Sequence, residues 1–186
     1  MTAGSWLVLV DLQRIFADPA SDWFTPRFVD AEAGAVRLRQ LFPGRTALTR
    51  FVPPAVPAGA WLPYYERWPF ALDPANAALY DLVPALSAEG AVLIDRPTFG
   101  KWDAGSRAAL GDTCEIVLAG VSTDCCVLST ALAAGDDGMR VRVVADACAG
   151  ASEIDHRRAL DAMALYAPLI EITSIEEILA ERGLVR

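Results

Sequence analysis

Two adjacent cysteines are the residues of this sequence best placed for chemistry. Cys125 and Cys126 follow the segment Gly120–Asp124, which separates an apolar run from a segment rich in alanine and leucine. This pattern predicts a strand, a tight turn and a helix that begins at the cysteines. The first turn of a helix carries unpaired N–H groups and a partial positive charge, which favour a thiolate and can hold an oxyanion. The segment therefore predicts a cysteine nucleophile, with a small buried apolar role as the alternative.

Charged residues follow the ends of two other predicted strands. Asp11 comes directly after the continuous apolar run 6–10, and Arg96 and Lys101 follow the run 91–95. An acid and a cation beside a thiol form a coherent nucleophilic site, because the cation favours the thiolate and the carboxylate moves the proton. Taken alone, Asp11 is explained equally well as a turn or capping residue, and the two basic residues as solvated surface charges. Only the combination indicates a function.

The elements that must position these residues alternate along the chain. Strands are predicted over 5–10, 45–50, 91–95, 115–119, 141–145 and 169–172, and helices over 26–42, 73–87, 104–110, 127–137, 152–166 and from 174 onward. Pro84 should kink the helix 73–87 or end it early. The alternation predicts an α/β fold with three α/β/α layers around a doubly wound parallel sheet of about six strands, in the order 3-2-1-4-5-6. In that order strands one and four are neighbours at the ligand crevice, so Asp11 and Cys126 should face each other.

Composition limits the class of protein. The 186 residues suit a single domain spanning 1–186, with a formal net charge of -8 that argues against nucleic acid or an anionic membrane as partner. The apolar runs are too short to cross a bilayer, and no basic segment precedes the first of them, so we expect neither a membrane span nor a signal peptide. The four cysteines are unevenly spaced, which favours reduced thiols and a cytoplasmic protein.

Several segments carry a resemblance to a known family. They are Asp11–Gln13 with Phe16, Gly120–Val127, and Asp146–Cys148 ahead of Ser152 and His156. Over nearly the whole chain the sequence resembles the isochorismatase-like cysteine hydrolase superfamily, most specifically through Gly-Val-Ser-Thr-Asp-x-Cys-Val. The resemblance implies a catalytic triad of aspartate, lysine and cysteine, and it assigns the first and last of these roles to Asp11 and Cys126. Relatives are commonly dimers or tetramers, so we expect a homodimer or homotetramer.

The resemblance also implies an oxyanion hole at the start of the helix. The family has a cis peptide bond that corresponds to Val121–Ser122. This bond would turn the N–H of Ser122, together with that of Cys126, toward the substrate oxygen.

The cation is where the sequence departs from the family pattern. Aligned on the strand end, the family's lysine falls on Arg96, and the nearby lysine, Lys101, comes five residues later. Arginine stays protonated and cannot relay a proton, although it can stabilise an anion. Gly100 permits a turn that would bring Lys101 back over the crevice. We therefore favour Lys101 for the catalytic role and keep Arg96 as the alternative cation.

No catalytic metal or other cofactor is expected. Nicotinamidases of the superfamily bind a metal through an aspartate and histidines after strand two, where this chain reads Thr49-Arg50-Phe51-Val52-Pro53. The single histidine, His156, lies far along the chain, and one histidine without a carboxylate cluster is a poor metal site. We interpret His156 as a structural, hydrogen-bonded residue.

The cysteine also narrows the expected reaction. True isochorismatases cleave a vinyl ether and lack the nucleophilic cysteine, so Cys126 points to hydrolysis of a C–N bond in a small amide, carbamoyl or ureido compound through a thioester. The long loop 51–72, rich in proline and aromatic residues, and the loop 99–102 should contribute the pocket and favour an apolar or aromatic substrate. The candidate pocket residues are Phe16, Phe51, Trp61, Tyr64, Phe99 and Trp102.

Two functions other than hydrolysis remain as alternatives. One is a non-catalytic binding or scaffold protein, which the displaced lysine favours. The other is a redox protein that uses the adjacent cysteines.

Overall fold

One parallel sheet organises the chain. The structure, a computed structural model that describes residues 4–184, has six strands. They are β1 (Trp6–Val10), β2 (Thr46–Phe51), β3 (Val92–Arg96), β4 (Glu115–Val121), β5 (Arg140–Ala149) and β6 (Ile170–Thr173). Their order is β3-β2-β1-β4-β5-β6 with every neighbouring pair parallel, and helices lie on both sides. The predicted fold class and strand order are confirmed.

Seven α-helices connect or flank the strands in the described part of the chain. They are α1 (Arg14–Ala17), α2 (Phe28–Arg39), α3 (Trp61–Arg67), α4 (Ala104–Leu110), α5 (Leu128–Asp136), α6 (Glu153–Ala164) and α7 (Ile175–Glu181). Helix α6 begins after Ser152, whose hydroxyl accepts the Asp155 N–H, and α7 begins with a capping box between Ser174 and Glu177. Between residues 4 and 184, no helix combines the length and apolar character needed to cross a membrane.

The segment between β2 and β3 differs from the prediction. The loop predicted over 51–72 contains α3 and the 3₁₀ turn Pro69–Leu72, and the helix predicted over 73–87 is wrong. In its place a 3₁₀ segment, Pro74–Tyr80, is followed by extended backbone that bridges Leu82 to Gln13. The Gln13 side-chain amide also donates to the carbonyl oxygens of Phe51 and Tyr80, at 3.0 and 2.6 Å. These long-range contacts hold the backbone in a form that a continuous helix could not adopt.

Strands β1 and β4 meet at a glycine where the functional segments begin. Gly120 pairs with Val10 and has a φ of +123°. A Cβ atom at this position would lie 2.2 Å from the Val10 carbonyl oxygen, so no other residue fits without moving the strands apart. The two chain segments therefore leave the sheet side by side, one toward Asp11 and the other toward Cys126.

Candidate active site

Asp11 stands at the end of β1 with its side chain fully buried. Its backbone N–H donates to the Thr49 hydroxyl on β2 at 3.1 Å, and that hydroxyl donates to Asp11 Oδ1 at 2.6 Å. Asp11 also has a φ of +50°, a conformation that aspartate tolerates better than most residues. The neighbouring strand thus fixes both the backbone and the carboxylate of Asp11.

Lys101 reaches Asp11 from the loop after β3. Its Nζ lies 3.0 Å from Asp11 Oδ2, and both side chains are fully buried. The same ammonium group donates to the Thr98 carbonyl oxygen and lies 5.0 Å from the centroid of the Phe51 ring. Since a buried charge is tolerated only when it is paired and hydrogen-bonded, the structure holds Asp11 and Lys101 as one compensated pair.

Hydrogen bonds from two helices place the Lys101 backbone. Its N–H donates to the Thr130 hydroxyl on α5 at 3.0 Å, and that hydroxyl donates to the Cys126 carbonyl oxygen at 2.6 Å. On the other side, the Ser106 hydroxyl of α4 donates to the Lys101 carbonyl oxygen at 2.6 Å. Thr130 therefore connects the lysine loop directly to the backbone of the cysteine.

Arg96 is held away from this pair. Its guanidinium makes two hydrogen bonds of 2.7 Å to Asp103, the residue that caps α4, and a third of 3.2 Å to the Ser106 hydroxyl. The structure thus brings Asp11, Lys101 and Cys126 together and leaves the alternative cation outside the group.

Cys126 lies in a π-helical turn, Thr123–Val127, between β4 and α5. Only 4% of the residue is exposed, yet it lines a cavity. Burial raises the pKa of the Cys126 thiol well above its usual range. The negative charge of Asp11 is the second cause of this rise, and the positive charge of Lys101 opposes it. Burial likewise raises the pKa of Asp11, against the effects of Lys101 and Thr49. This environment favours a resting thiol beside a carboxylate able to accept its proton.

The turn before Cys126 is held by Asp124. The Val121–Ser122 peptide bond is cis, as the resemblance implied. Asp124 Oδ1 accepts hydrogen bonds from the Ser122 hydroxyl at 2.6 Å and from the Ala151 N–H at 2.9 Å. The Cys125 thiol faces Asp124 Oδ2 at 3.6 Å, and burial raises its pKa to about 11. Cys125 is therefore a protonated thiol at neutral pH, directed at a carboxylate.

His156 and the segment after β2 do not fit a metal site. His156 Nδ1 lies 2.9 Å from the Thr123 hydroxyl, and burial lowers the pKa of the imidazole. Residues 49–53 supply neither histidine nor carboxylate, and within residues 4–184 no group of three potential ligands comes together. We therefore assign no step of the chemistry to a metal.

A cavity of about 320 Å³ opens over the cysteine. Its lining residues are Phe16, Asp22, Trp23, Phe24, Thr25, Phe51, Tyr64, Trp68, Phe99, Ser122, Asp124, Cys125, Cys126 and Ala151. Four of the predicted pocket residues are among them. Trp61 does not line the cavity and instead packs against two residues that do, with its ring centroid 5.1 Å from those of Tyr64 and Phe99. The prediction for Trp102 is wrong, because Trp102 is not a lining residue and its buried indole donates its N–H to Asp137 at 2.9 Å.

Trp23 is the main pocket residue that the sequence reasoning missed. Its ring contacts five others, including Phe70 at 5.1 Å, Phe51 at 5.7 Å and Phe16 at 6.2 Å between centroids. It lies in the irregular segment between α1 and α2. An aromatic pair in a loop that directly follows the strand-one motif was the signal available in the sequence.

Thr49 is a positioning residue, and its replacement should change the pH dependence of any reaction that uses Asp11. In Thr49→Val the pKa of Asp11 should rise further, because the hydroxyl that stabilises the carboxylate is lost. A base is active only when ionised, so the acidic limb of kcat/KM should move to higher pH. The free energy of unfolding should fall by about 1 to 3 kcal/mol.

The measurement for Thr49→Val is kcat/KM between pH 4 and 8 beside chemical denaturation. Thr46→Val is the matched control, since Thr46 is also a buried threonine of β2 but donates to the Phe42 carbonyl oxygen. The positioning role of Thr49 would be contradicted if the acidic limb of kcat/KM moved equally in both variants, or if it moved toward lower pH in Thr49→Val.

The sequence of this chain is similar to those of known proteins. A model of the isochorismatase domain matches residues 5–177. Isochorismatase domain-containing protein 2 of Macaca fascicularis is 28% identical over 163 residues, which cover 88% of this chain and 68% of that protein.

Solved structures share the fold. A cysteine hydrolase from Pseudomonas syringae pv. phaseolicola 1448A has a TM-score of 0.82 at 16% identity, covering 98% of this chain and 94% of that one. A pyrazinamidase of Pyrococcus horikoshii, solved in complex with zinc, has a TM-score of 0.73 at 24% identity, covering 92% and 99%. At these identities the likeness establishes the fold alone.

Proposed function

The chain belongs to the isochorismatase-like hydrolase family, and from that premise we propose that it is a metal-independent cysteine hydrolase of a C–N bond in a small carboxamide, carbamoyl or ureido compound. Cys126 is the nucleophile, Asp11 moves the proton, and Lys101 is the cation. The observation that carries the proposal is the buried contact group itself: an ion pair of 3.0 Å between Lys101 and Asp11, placed beside a thiol that lines a cavity.

The first half of the reaction forms the acyl-enzyme. The Cys126 sulfur attacks the substrate carbonyl carbon while its proton passes to Asp11. The carbonyl oxygen becomes an oxyanion, stabilised by the N–H groups of Ser122 and Cys126. When the C–N bond breaks, Asp11 returns the proton to the leaving nitrogen, and ammonia or an amine departs from a thioester.

The second half restores the enzyme. Water attacks the thioester carbon while Asp11 accepts one of its protons. The C–S bond breaks, the acid is released, and the Cys126 sulfur recovers its proton from Asp11. Throughout, Lys101 keeps a negative charge tolerable on Asp11 or on the sulfur, because its own charge is buried with them.

Two other functions have less support. The displaced lysine favoured a non-catalytic binding protein, but Lys101 contacts Asp11 in spite of its position in the sequence. A redox role for adjacent cysteines needs a strained ring between them, and the Cys125 thiol faces Asp124 instead.

Ammonia release from a broad panel of small amides and ureas tests the proposal. We expect wild-type protein to turn over at least one member, without added metal and with unchanged rate after treatment with a chelator. Hydroxylamine should intercept the thioester and give a hydroxamate. If no member of the panel is hydrolysed, the binding-protein interpretation is the better one.

A further inference from the structure

The cavity over Cys126 combines aromatic rings with acidic side chains. Seven of its lining residues are aromatic: Phe16, Trp23, Phe24, Phe51, Tyr64, Trp68 and Phe99. Building on the proposed function, we propose that this cavity selects its amide by charge. It prefers a positively charged amide over an uncharged one of the same shape, and it rejects an amide that carries a carboxylate.

The rings provide the first argument. Trp23 lies within 6.5 Å, between centroids, of Phe16, Tyr64 and Trp68, so the rings form one continuous wall. The faces of such rings attract a cation, most strongly where water is excluded, and offer nothing to a carboxylate. A cavity of about 320 Å³ is close to the lower end of the usual range for ligand sites, so most of a small ligand would contact this wall.

The charges provide the second argument. Asp22 and Asp124 are among the lining residues, and of all those that line the cavity in residues 4–184, none is lysine, arginine or histidine. Lys101 is fully buried and paired with Asp11, and so it supplies no free cation to the cavity.

One further cation lies close to the wall. The Arg67 guanidinium lies 5.3 Å from the centroid of the Trp68 ring, but Arg67 is not a lining residue. A carboxylate on the substrate would therefore lose water without gaining a partner in the cavity, whereas a cation would meet both rings and carboxylates.

Binding to Cys126→Ala separates this selectivity from turnover. Three benzamides of matched shape serve as probes, with a para trimethylammonium, tert-butyl or carboxylate group. By titration calorimetry we expect the trimethylammonium probe to bind about twofold to thirtyfold more tightly than the tert-butyl probe. The carboxylate probe should bind at least about fivefold more weakly than the tert-butyl probe. Cys126→Ser repeats the series in case the alanine variant does not fold.

Variants of the loop before α2 identify the groups responsible. Asp22→Asn should reduce the preference for the trimethylammonium over the tert-butyl probe by about twofold to fivefold, since Asp22 is exposed. Trp23→Leu should reduce it by a similar or larger factor. Asp18→Asn is the matched control, because Asp18 caps the Ala20 N–H and does not line the cavity.

The outcomes distinguish this proposal from the reaction itself. Charge selection is wrong if the carboxylate probe binds as tightly as the tert-butyl probe. It is also wrong if the trimethylammonium probe binds no more tightly than the tert-butyl probe, or does not bind. If the binding order holds but wild-type protein hydrolyses none of the three probes or any amide of the panel, charge selection stands and the hydrolase proposal fails.

Discussion

Cys126→Ala is expected to lower kcat/KM for any amide that the protein hydrolyses by about 10⁴-fold or more, because the atom that forms the covalent intermediate is gone. The side chain is small and buried, so alanine should leave the fold intact, with a stability loss of about 1 kcal/mol. The measurement is steady-state ammonia release, with circular dichroism to verify folding.

Cys125→Ala is the matched control for the nucleophile. Cys125 also lines the cavity, but its thiol faces Asp124 and its pKa is raised to about 11, so its loss should alter KM more than kcat. Intact mass after rapid quenching should show an acyl adduct on wild type and on Cys125→Ala, and none on Cys126→Ala. The assignment is wrong if the adduct and the activity survive in Cys126→Ala and are lost in Cys125→Ala.

Lys101→Met should damage both stability and activity. The change leaves Asp11 fully buried without its partner, which is expected to cost about 3 to 5 kcal/mol of the free energy of unfolding. The pKa of Asp11 should then rise further, so the variant should be least stable at neutral and higher pH and recover part of the loss when Asp11 is protonated at low pH. Chemical denaturation across this pH range measures the effect, and kcat/KM should fall by at least about 10²-fold.

Two companion variants separate the roles of the charges. The double variant Asp11→Asn with Lys101→Met removes the charges together, and it should regain most of the stability but none of the activity. Arg96→Ala removes the partly exposed pair with Asp103 and a hydrogen bond to Ser106, so it should cost about 1 kcal/mol or less and leave kcat/KM near wild type. If Arg96→Ala lost activity while Lys101→Met remained active, Arg96 and not Lys101 would be the catalytic cation.

The central part of the site could be predicted because it depends on regular structure. A continuous apolar run predicts a strand buried on both faces, and the strand order then places the residues that follow β1 and β4 together. The alternation of strands and helices therefore brings Asp11 and the cysteine pair together, and the family resemblance implies that Cys126 is the nucleophile. The family resemblance added the cis bond at Val121–Ser122, which no residue pattern predicts.

The remaining parts depend on contacts between distant segments. Lys101 is placed by Thr130, which lies 29 residues later in the chain, so its reach across the crevice cannot be derived from the loop sequence. The helix predicted over 73–87 fails because Gln13 takes the Tyr80 carbonyl oxygen as a hydrogen-bond acceptor. Trp23 joins the pocket only because rings from three other segments, those of Phe16, Phe51 and Tyr64, converge on it.

Gly120 has a consequence for how this protein tolerates mutation. The separation between the Asp11 carboxylate and the Cys126 sulfur is set in the sheet, because a Cβ atom at Gly120 would lie only 2.2 Å from the Val10 carbonyl oxygen. A side chain at Gly120 would push β1 and β4 apart, which would move Asp11 and the turn of Cys126 away from each other. A substitution at Gly120 would thus abolish activity although Gly120 carries neither reacting group, even if the sheet still formed.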